Sequence, residues 1–214
     1  MQGEISAAKG DTLKAYECFV NVTEITDDDY IRFHALLVCD KTMIADSGDV
    51  KANAQKMIDL IQSQLKKVAP EYTEIVSEML ANEYARAESY DKAAEVYEGL
   101  LKNGTLGYSL QKNYFNLLYS KLQSYDKCLE LLSSMSSMNP DDYWVDMNEC
   151  FVRISVENAK VNQTERDYSA AYASYKTADR KYKMFTINGK TDANMDVLRE
   201  SIKELKAYGW IREE

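Results

Sequence analysis

Ser89-Tyr90-Asp91-Lys92-Ala93 returns as Ser124-Tyr125-Asp126-Lys127-Cys128, 35 residues further on. Each copy sits between two amphipathic stretches, and a period of that length is the sequence mark of a solenoid. The small residues Ala93 and Cys128 let the two helices of a hairpin come close, and Ala171 offers the same in a third hairpin. Tyr97, Leu132 and Tyr175, one helical turn later, lie on the same face and fill the gap to the neighbouring hairpin. No such hairpin buries its apolar stripe alone, so stability becomes a sum over neighbouring interfaces.

The flanking residues carry more of the pattern. In one repeat a first helix offers Ser77, Leu80, Ala81 and Tyr84, and a second offers Ala93 and Tyr97. In the next, Lys112, Phe115, Asn116 and Tyr119 are followed by Cys128, Leu132 and Pro140. A third has Trp144, Met147, Asn148 and Phe151, then, after a long interval, Ala171, Tyr175 and Ala178; near the amino terminus Gly10-Asp11, Ala15 and Phe19 keep only a second helix. On these residues the chain resembles the tetratricopeptide repeat (TPR) family, strongly over 74–142 and loosely over the rest of 9–185. The Gly of the family's Leu-Gly pair is missing throughout, which leaves Ala81, Asn116 and Asn148 where the helices normally approach closest. The resemblance implies an all-α fold, a right-handed α-solenoid of antiparallel helix hairpins, in a single domain over 1–214. Its hairpins are expected at about 1–26, 27–70, 74–104, 108–139 and 141–185, with a capping helix at about 191–208.

Composition agrees with that class. Of 214 residues, 45% are hydrophobic and 29% charged, ordinary for a water-soluble core, and only two prolines and eight glycines interrupt the chain. So few breakers fit long helices over about three-quarters of the residues, against a base rate of about one-third. The longest uncharged apolar runs, such as Ala35-Leu36-Leu37-Val38-Cys39, are too short to span a bilayer. The opening residues Met1 to Ser6 lack the basic start and apolar centre of a signal peptide, so a cytoplasmic location is favoured, with export left open if an upstream segment has been removed. A net charge of −9 argues against nucleic acid, whose binding demands a basic stripe.

Helix signals punctuate the chain. Asp11 or Thr12 opens a helix over 11–25, Asp27-Asp28-Asp29 caps the next, and the turn Asp46-Ser47-Gly48-Asp49 divides 29–45 from 50–68. Further helices are expected at about 74–87, 91–102, 109–122, 126–137, 142–162, 167–185 and 192–207, the last opened by Thr191 or Asp192 and stopped at Gly209. The stretch Phe185 to Lys190 reads as a loop. The hairpin at 142–185 is longer than the family's repeat, by one to two turns on each helix, and its polar tip from Val156 to Arg166 should stand in solvent.

No catalytic or nucleotide-binding motif is present, so no enzyme activity and no cofactor are expected. The acidic run at 27–29 lacks the alternating oxygen ligands and glycine turn of a calcium loop, and the four widely spaced cysteines Cys18, Cys39, Cys128 and Cys150 suggest buried thiols rather than zinc. The single histidine, His34, reads as a packed residue. Sixteen tyrosines are the compositional excess. Tyr84, Tyr97, Tyr119 and Tyr175 fall on core positions, whereas Tyr108, Tyr114, Tyr143, Tyr172 and Tyr182 are candidates for a recognition surface.

The TPR resemblance further implies a non-enzymatic protein- or peptide-binding scaffold that uses a concave groove. Its groove positions fall on Glu78, Asn82 and Arg86 with Ile75 in one repeat, on Asn113, Leu117 and Lys121 in the next, and on Val145, Glu149 and Arg153 in the third. Glu78, Asp142 and Asp146 stand where a carboxylate clamp would need cations, which points to an apolar partner segment with basic residues instead. The alternative is a structural repeat domain of a larger envelope or secretion-associated assembly. Weak self-association through residues 5–25 is also expected, because Leu13, Tyr16 or Val20 would lack the cover of a complete first helix.

Overall fold

The structure, a computed structural model, describes residues 2–46, 48–185 and 191–211. Among them there is no strand. Eleven α-helices follow one another: α1 Gln2–Ala8, α2 Thr12–Ile25, α3 Asp29–Ala45, α4 Val50–Gln64, α5 Thr73–Arg86, α6 Tyr90–Lys102, α7 Tyr108–Leu117, α8 Tyr125–Met138, α9 Tyr143–Ala159, α10 Ser169–Phe185 and α11 Ala193–Ala207. They belong to two compact units, Met1–Leu110 and Gln111–Glu214. The loop expected over Phe185 to Lys190 falls, for residues 186–190, outside the described residues.

Helix starts lie where short acidic side chains invite them. Asp11, Asp28, Asp49, Asp142 and Asp192 each accept a backbone N–H from the first turn of the following helix. The stops explain the recurring Ser-Tyr-Asp-Lys phrase. At the end of α5 the residue Glu88 takes a left-handed backbone (φ 58°), its N–H bonds to the Ala85 carbonyl and the Ser89 N–H bonds to the Tyr84 carbonyl. This pair of bonds is the Schellman arrangement, which satisfies the orphan carbonyls of a helix end and reverses the chain. Ser89 thereby finishes one helix and stands at the N-cap of the next. The second copy does the same by a wider path: α7 runs into a π-helical turn at Leu118–Leu122, Gln123 is left-handed (φ 50°), and the Ser124 N–H reaches the Leu118 carbonyl.

In the amino-terminal unit successive helices pack pairwise from α1 to α6. Leu36, Cys39, Met43, Met57, Ile61, Val76, Ala81 and Ala93 are fully buried there. Gly3 lies so close to α2 that a Cβ at that position would sit 2.8 Å from the Phe19 ring. Leu13 stays half-exposed, while Tyr16 reaches the Lys56 carbonyl with its hydroxyl. His34 is not packed: it is exposed, with its ring 4.2 Å from that of Tyr30 on the same helical face.

In the carboxyl-terminal unit α8 packs on α9, α9 on α10, and α11 on both α9 and α10. Its core gathers Met147, Cys150, Tyr168, Ala171, Ala178, Tyr182, Met195, Leu198 and Ile202. The long hairpin has 17 residues in each helix, against 14 and 13 in α5 and α6, so each gains about one turn. Its tip does not simply stand in solvent. Val161 is fully exposed, but Arg166 folds back onto the Asn158 and Lys160 carbonyls at 3.0 and 3.1 Å, and Tyr168 is buried. Ala81 is fully buried as the family's close-approach position requires, whereas Asn116 is exposed and Asn148 turns its amide back to the Trp144 carbonyl. In the α7 hairpin it is Cys128, fully buried, that supplies the small contact residue.

Candidate partner-binding surface

Glu78, Asn82 and Arg86 follow one another at i, i+4 and i+8 along α5 and therefore share a face. Asn82 is exposed and its carbonyl oxygen accepts the Tyr97 hydroxyl at 3.5 Å. Glu78 is half-buried beside the same tyrosine, whose pKa is pushed up to about 12, first by burial and then by the Glu78 charge. Arg86 is committed elsewhere. Its guanidinium meets both oxygens of Glu83 at 2.7 and 2.9 Å and donates to the Met43 carbonyl.

Glu83 is fully buried and shares a hydrogen bond with Asp40 of α3. Desolvation dominates there, raising the Glu83 carboxyl to about 7 against the opposing pull of Arg86, and it raises Asp40 as well. The two carboxyls and the guanidinium form one buried polar knot that ties α3 to α5. Arg86 thus serves the fold and leaves little charge for a ligand.

In the carboxyl-terminal unit Asn113 and Lys121 are exposed, Lys121 within the π-helical turn. Leu117 and Val145 are 8% and 2% exposed, so they belong to packed interior rather than to an open wall. The π turn at Leu118–Leu122 changes the helix phase only for residues within and after it, Lys121 among them. Glu149 and Arg153 close on each other at 2.6 Å along α9, both half-buried. The acids that were to repel a carboxylate are also matched: Asp142 holds Lys112 at 2.8 Å and Asp146 holds Lys181 at 2.5 Å. Lys112 in addition lies 4.7 Å from the centre of the Trp144 ring. These cross-helix pairs balance the local charge, and the electrostatic case against an acidic ligand loses two of its three carboxylates.

The tyrosine candidates divide likewise. Tyr114 and Tyr182 are buried, correcting their assignment to a surface, and Tyr143 donates to Asp192 at 2.8 Å with its pKa pushed up to about 12 by burial and by that carboxylate. Tyr108 and Tyr172 remain half-buried. Tyr175 is half-buried and stacks on Tyr172.

Three of the four thiols are held in the protonated form. Burial pushes Cys39, Cys128 and Cys150 up to about 12, and Cys18 is half-buried. Among the described residues no three acidic, histidine or cysteine side chains gather as a metal site, and no helix is long and apolar enough to cross a membrane.

One concavity lay outside the sequence reading. A cleft of about 1160 Å³ opens between the tip of the α9–α10 hairpin, the first turns of α10 and the turn after α11. Gln163, Arg166, Tyr172, Lys176, Tyr208 and Trp210 are among its lining residues. Gly209 (φ 72°) makes it possible: its N–H bonds to Lys206 and the Trp210 N–H to Leu205, a Schellman stop that swings the indole back toward Tyr168. The rings of Tyr168 and Trp210 meet edge to face at 5.5 Å. A glycine followed by tryptophan at a helix end was the available signal, but the cleft's other wall comes from a turn far upstream.

No protein-family model and no curated protein matches the chain. Among solved structures the chain is similar to MamA, with a TM-score of 0.57 and 15% identity over 85% of this chain and 95% of the other. It is likewise similar to the structure named MamA MSR-1 C2, with a TM-score of 0.54 and 12% identity over 86% and 94%. At such identity the likeness is one of fold, and it places the chain in the class of all-helical, tetratricopeptide-like hairpin solenoids.

Proposed function

We propose that the protein is a non-enzymatic scaffold that binds a protein or peptide partner along the first helices of its hairpins. The observation that carries this reading is the set of polar side chains left at the surface in each unit: Asn82 and half-buried Glu78 on α5, Asn113 and Lys121 on and after α7. Buried thiols pushed up to about 12 and cross-helix ion pairs serve stability rather than chemistry. Tetratricopeptide-like folds present such helices to extended or helical segments, where exposed amides bond the partner's backbone and apolar neighbours take its side chains. With Glu78 on that face, a segment that is apolar with one or more basic residues fits best.

The test is selection from a random peptide library on immobilised protein, with a Glu78→Lys, Asn82→Arg chain as the counter-target. Enrichment of apolar-basic sequences that the variant no longer retains supports the reading. Enrichment of the same peptides on both proteins contradicts it. Half-exposed Ile5 and Leu13 on the leading helices also support weak self-association, which sedimentation at several concentrations checks.

A further inference from the structure

We propose that the cleft between the α9–α10 tip and the turn after α11 is a separate docking site for a short, extended acidic peptide segment. Its carboxylates meet Arg166 and Lys176, and one apolar side chain lies on Trp210 and Tyr208. The proposal rests on the scaffold reading but uses none of the residues assigned to it above.

Charge is the first ground. The protein carries a net charge of −9, and several of its partly buried cations already hold carboxylates: Arg86, Lys112, Arg153, Lys160, Lys181 and Arg199. Among the described residues Arg166 and Lys176 hold none. Arg166 is nonetheless fixed, because one terminal nitrogen donates to two carbonyls at the end of the α9 segment and the guanidinium lies 5.8 Å from the Trp210 ring centre. Its Nε is buried without a hydrogen-bond partner. A guanidinium held in place by neutral acceptors keeps its charge uncompensated, the condition for pairing with a carboxylate. The acid in the lining, Asp167, stays ionised, because its carboxylate accepts the Ser169 N–H at 2.9 Å at the start of α10 and is held below the usual carboxylate range, so the lining sets the two cations Arg166 and Lys176 against one carboxylate. The positive end of the α10 dipole opens onto the same place.

Shape and chemistry give the second ground. At about 1160 Å³ the cleft exceeds the usual few hundred to about 1,000 Å³ of a small-molecule site and suits several residues of extended chain. Its aromatic members are available: Tyr208 is 77% exposed and Trp210 half-buried. Tyr172 is framed by cations, with Lys176 4.9 Å and Lys206 4.5 Å from its ring centre and the Lys206 ammonium donating to its hydroxyl. A rigid indole beside a fixed guanidinium is a pairing that recognition sites use for an apolar anchor flanked by acid.

The probe is a capped hexapeptide of alternating glutamate and aspartate around one leucine and one phenylalanine, titrated against the full chain by isothermal calorimetry. The comparison arms are its glutamine and asparagine isostere, a lysine counterpart, an all-glutamate hexapeptide, and a short oligothymidylate. The acidic-apolar peptide alone is expected to bind, with affinity falling several-fold between low and physiological salt. Lys176→Gln and Tyr208→Ser, both at exposed positions, should each weaken it by about five- to tenfold without moving the melting midpoint. Arg166→Lys should weaken it at least as much. Equal binding of the neutral isostere, preference for the oligothymidylate, or no binding of any arm overturns the proposal. Library peptides retained through Glu78 and Asn82 while the cleft arms fail would sink the cleft alone and leave the scaffold reading standing.

Discussion

Replacing Glu83 by glutamine probes the polar knot that joins α3 to α5. The wild-type carboxyl is fully buried, with a pKa of about 7 in place of the ordinary 4.5, because desolvation outweighs Arg86 and because Asp40 shares its hydrogen bond. The folded chain therefore keeps a proton that the unfolded chain releases, and stability falls as pH rises from about 4.5 to about 7, then levels off. At about 1.4 kcal/mol per pH unit between the two pKa values, the loss amounts to at most about 3 kcal/mol. Glutamine copies the protonated acid: its amide can donate to Asp40, and its carbonyl can accept from Arg86. The variant gives up a charge-assisted bond, worth about 1 kcal/mol net, but carries no pH penalty at position 83, where only the raised Asp40 carboxyl of the knot still titrates. Urea unfolding of both proteins from pH 5 to pH 8.5, followed by helical circular dichroism, should show the difference in stability moving in favour of Glu83→Gln by about 2–3 kcal/mol across that window. A difference that stays constant with pH would refute the reasoning, since it would mean that Glu83 is ionised in the fold.

Three further outcomes are expected. Ala93 is fully buried at a hairpin crossing, so Ala93→Leu should overpack it and cost about 1–3 kcal/mol, read as a lowered melting midpoint; an unchanged midpoint removes Ala93 from the contact. Gln123 pays for a left-handed backbone without being glycine, so Gln123→Gly should raise stability by about 0.5–1 kcal/mol after the added chain entropy is subtracted, and a destabilised variant would show that its side chain matters more than its φ. In the native protein at pH 8 a thiol-disulfide reagent should label Cys18 and spare Cys39, Cys128 and Cys150 until denaturant is added; rapid labelling of more than one thiol contradicts their burial.

The helices were legible in the sequence because their signals are local. Asp11, Asp28, Asp49 and Asp192 cap the helices their positions announce, and Gly209 stops the last. Ala93, Cys128 and Ala171 are buried for the reason their size suggests. The candidate surface was less legible because it depends on partners far apart in the chain. The Arg86–Glu83 pair is spaced i, i+3 on one helix, but that Glu83 bonds Asp40 and Arg86 the Met43 carbonyl across on α3, or that Asp146 belongs to Lys181, is decided by helix packing. Leu117 and Val145 were carried over from a family template by position alone, and in this chain both are packed interior residues, at 8% and 2% exposure. His34 was read as packed because Phe33 and Ala35 beside it are apolar; those two are buried, and the histidine between them faces out.

The scaffold reading is tested most directly by the affinity of one selected apolar-basic peptide for three versions of the protein. Wild type and Lys176→Glu, Tyr208→Ser should bind it equally, because the cleft plays no part, while Glu78→Lys, Asn82→Arg should bind it at least tenfold more weakly and with less salt dependence. Undiminished affinity of the Glu78→Lys, Asn82→Arg protein would contradict the account, because the α5 face would then not be where the partner lies.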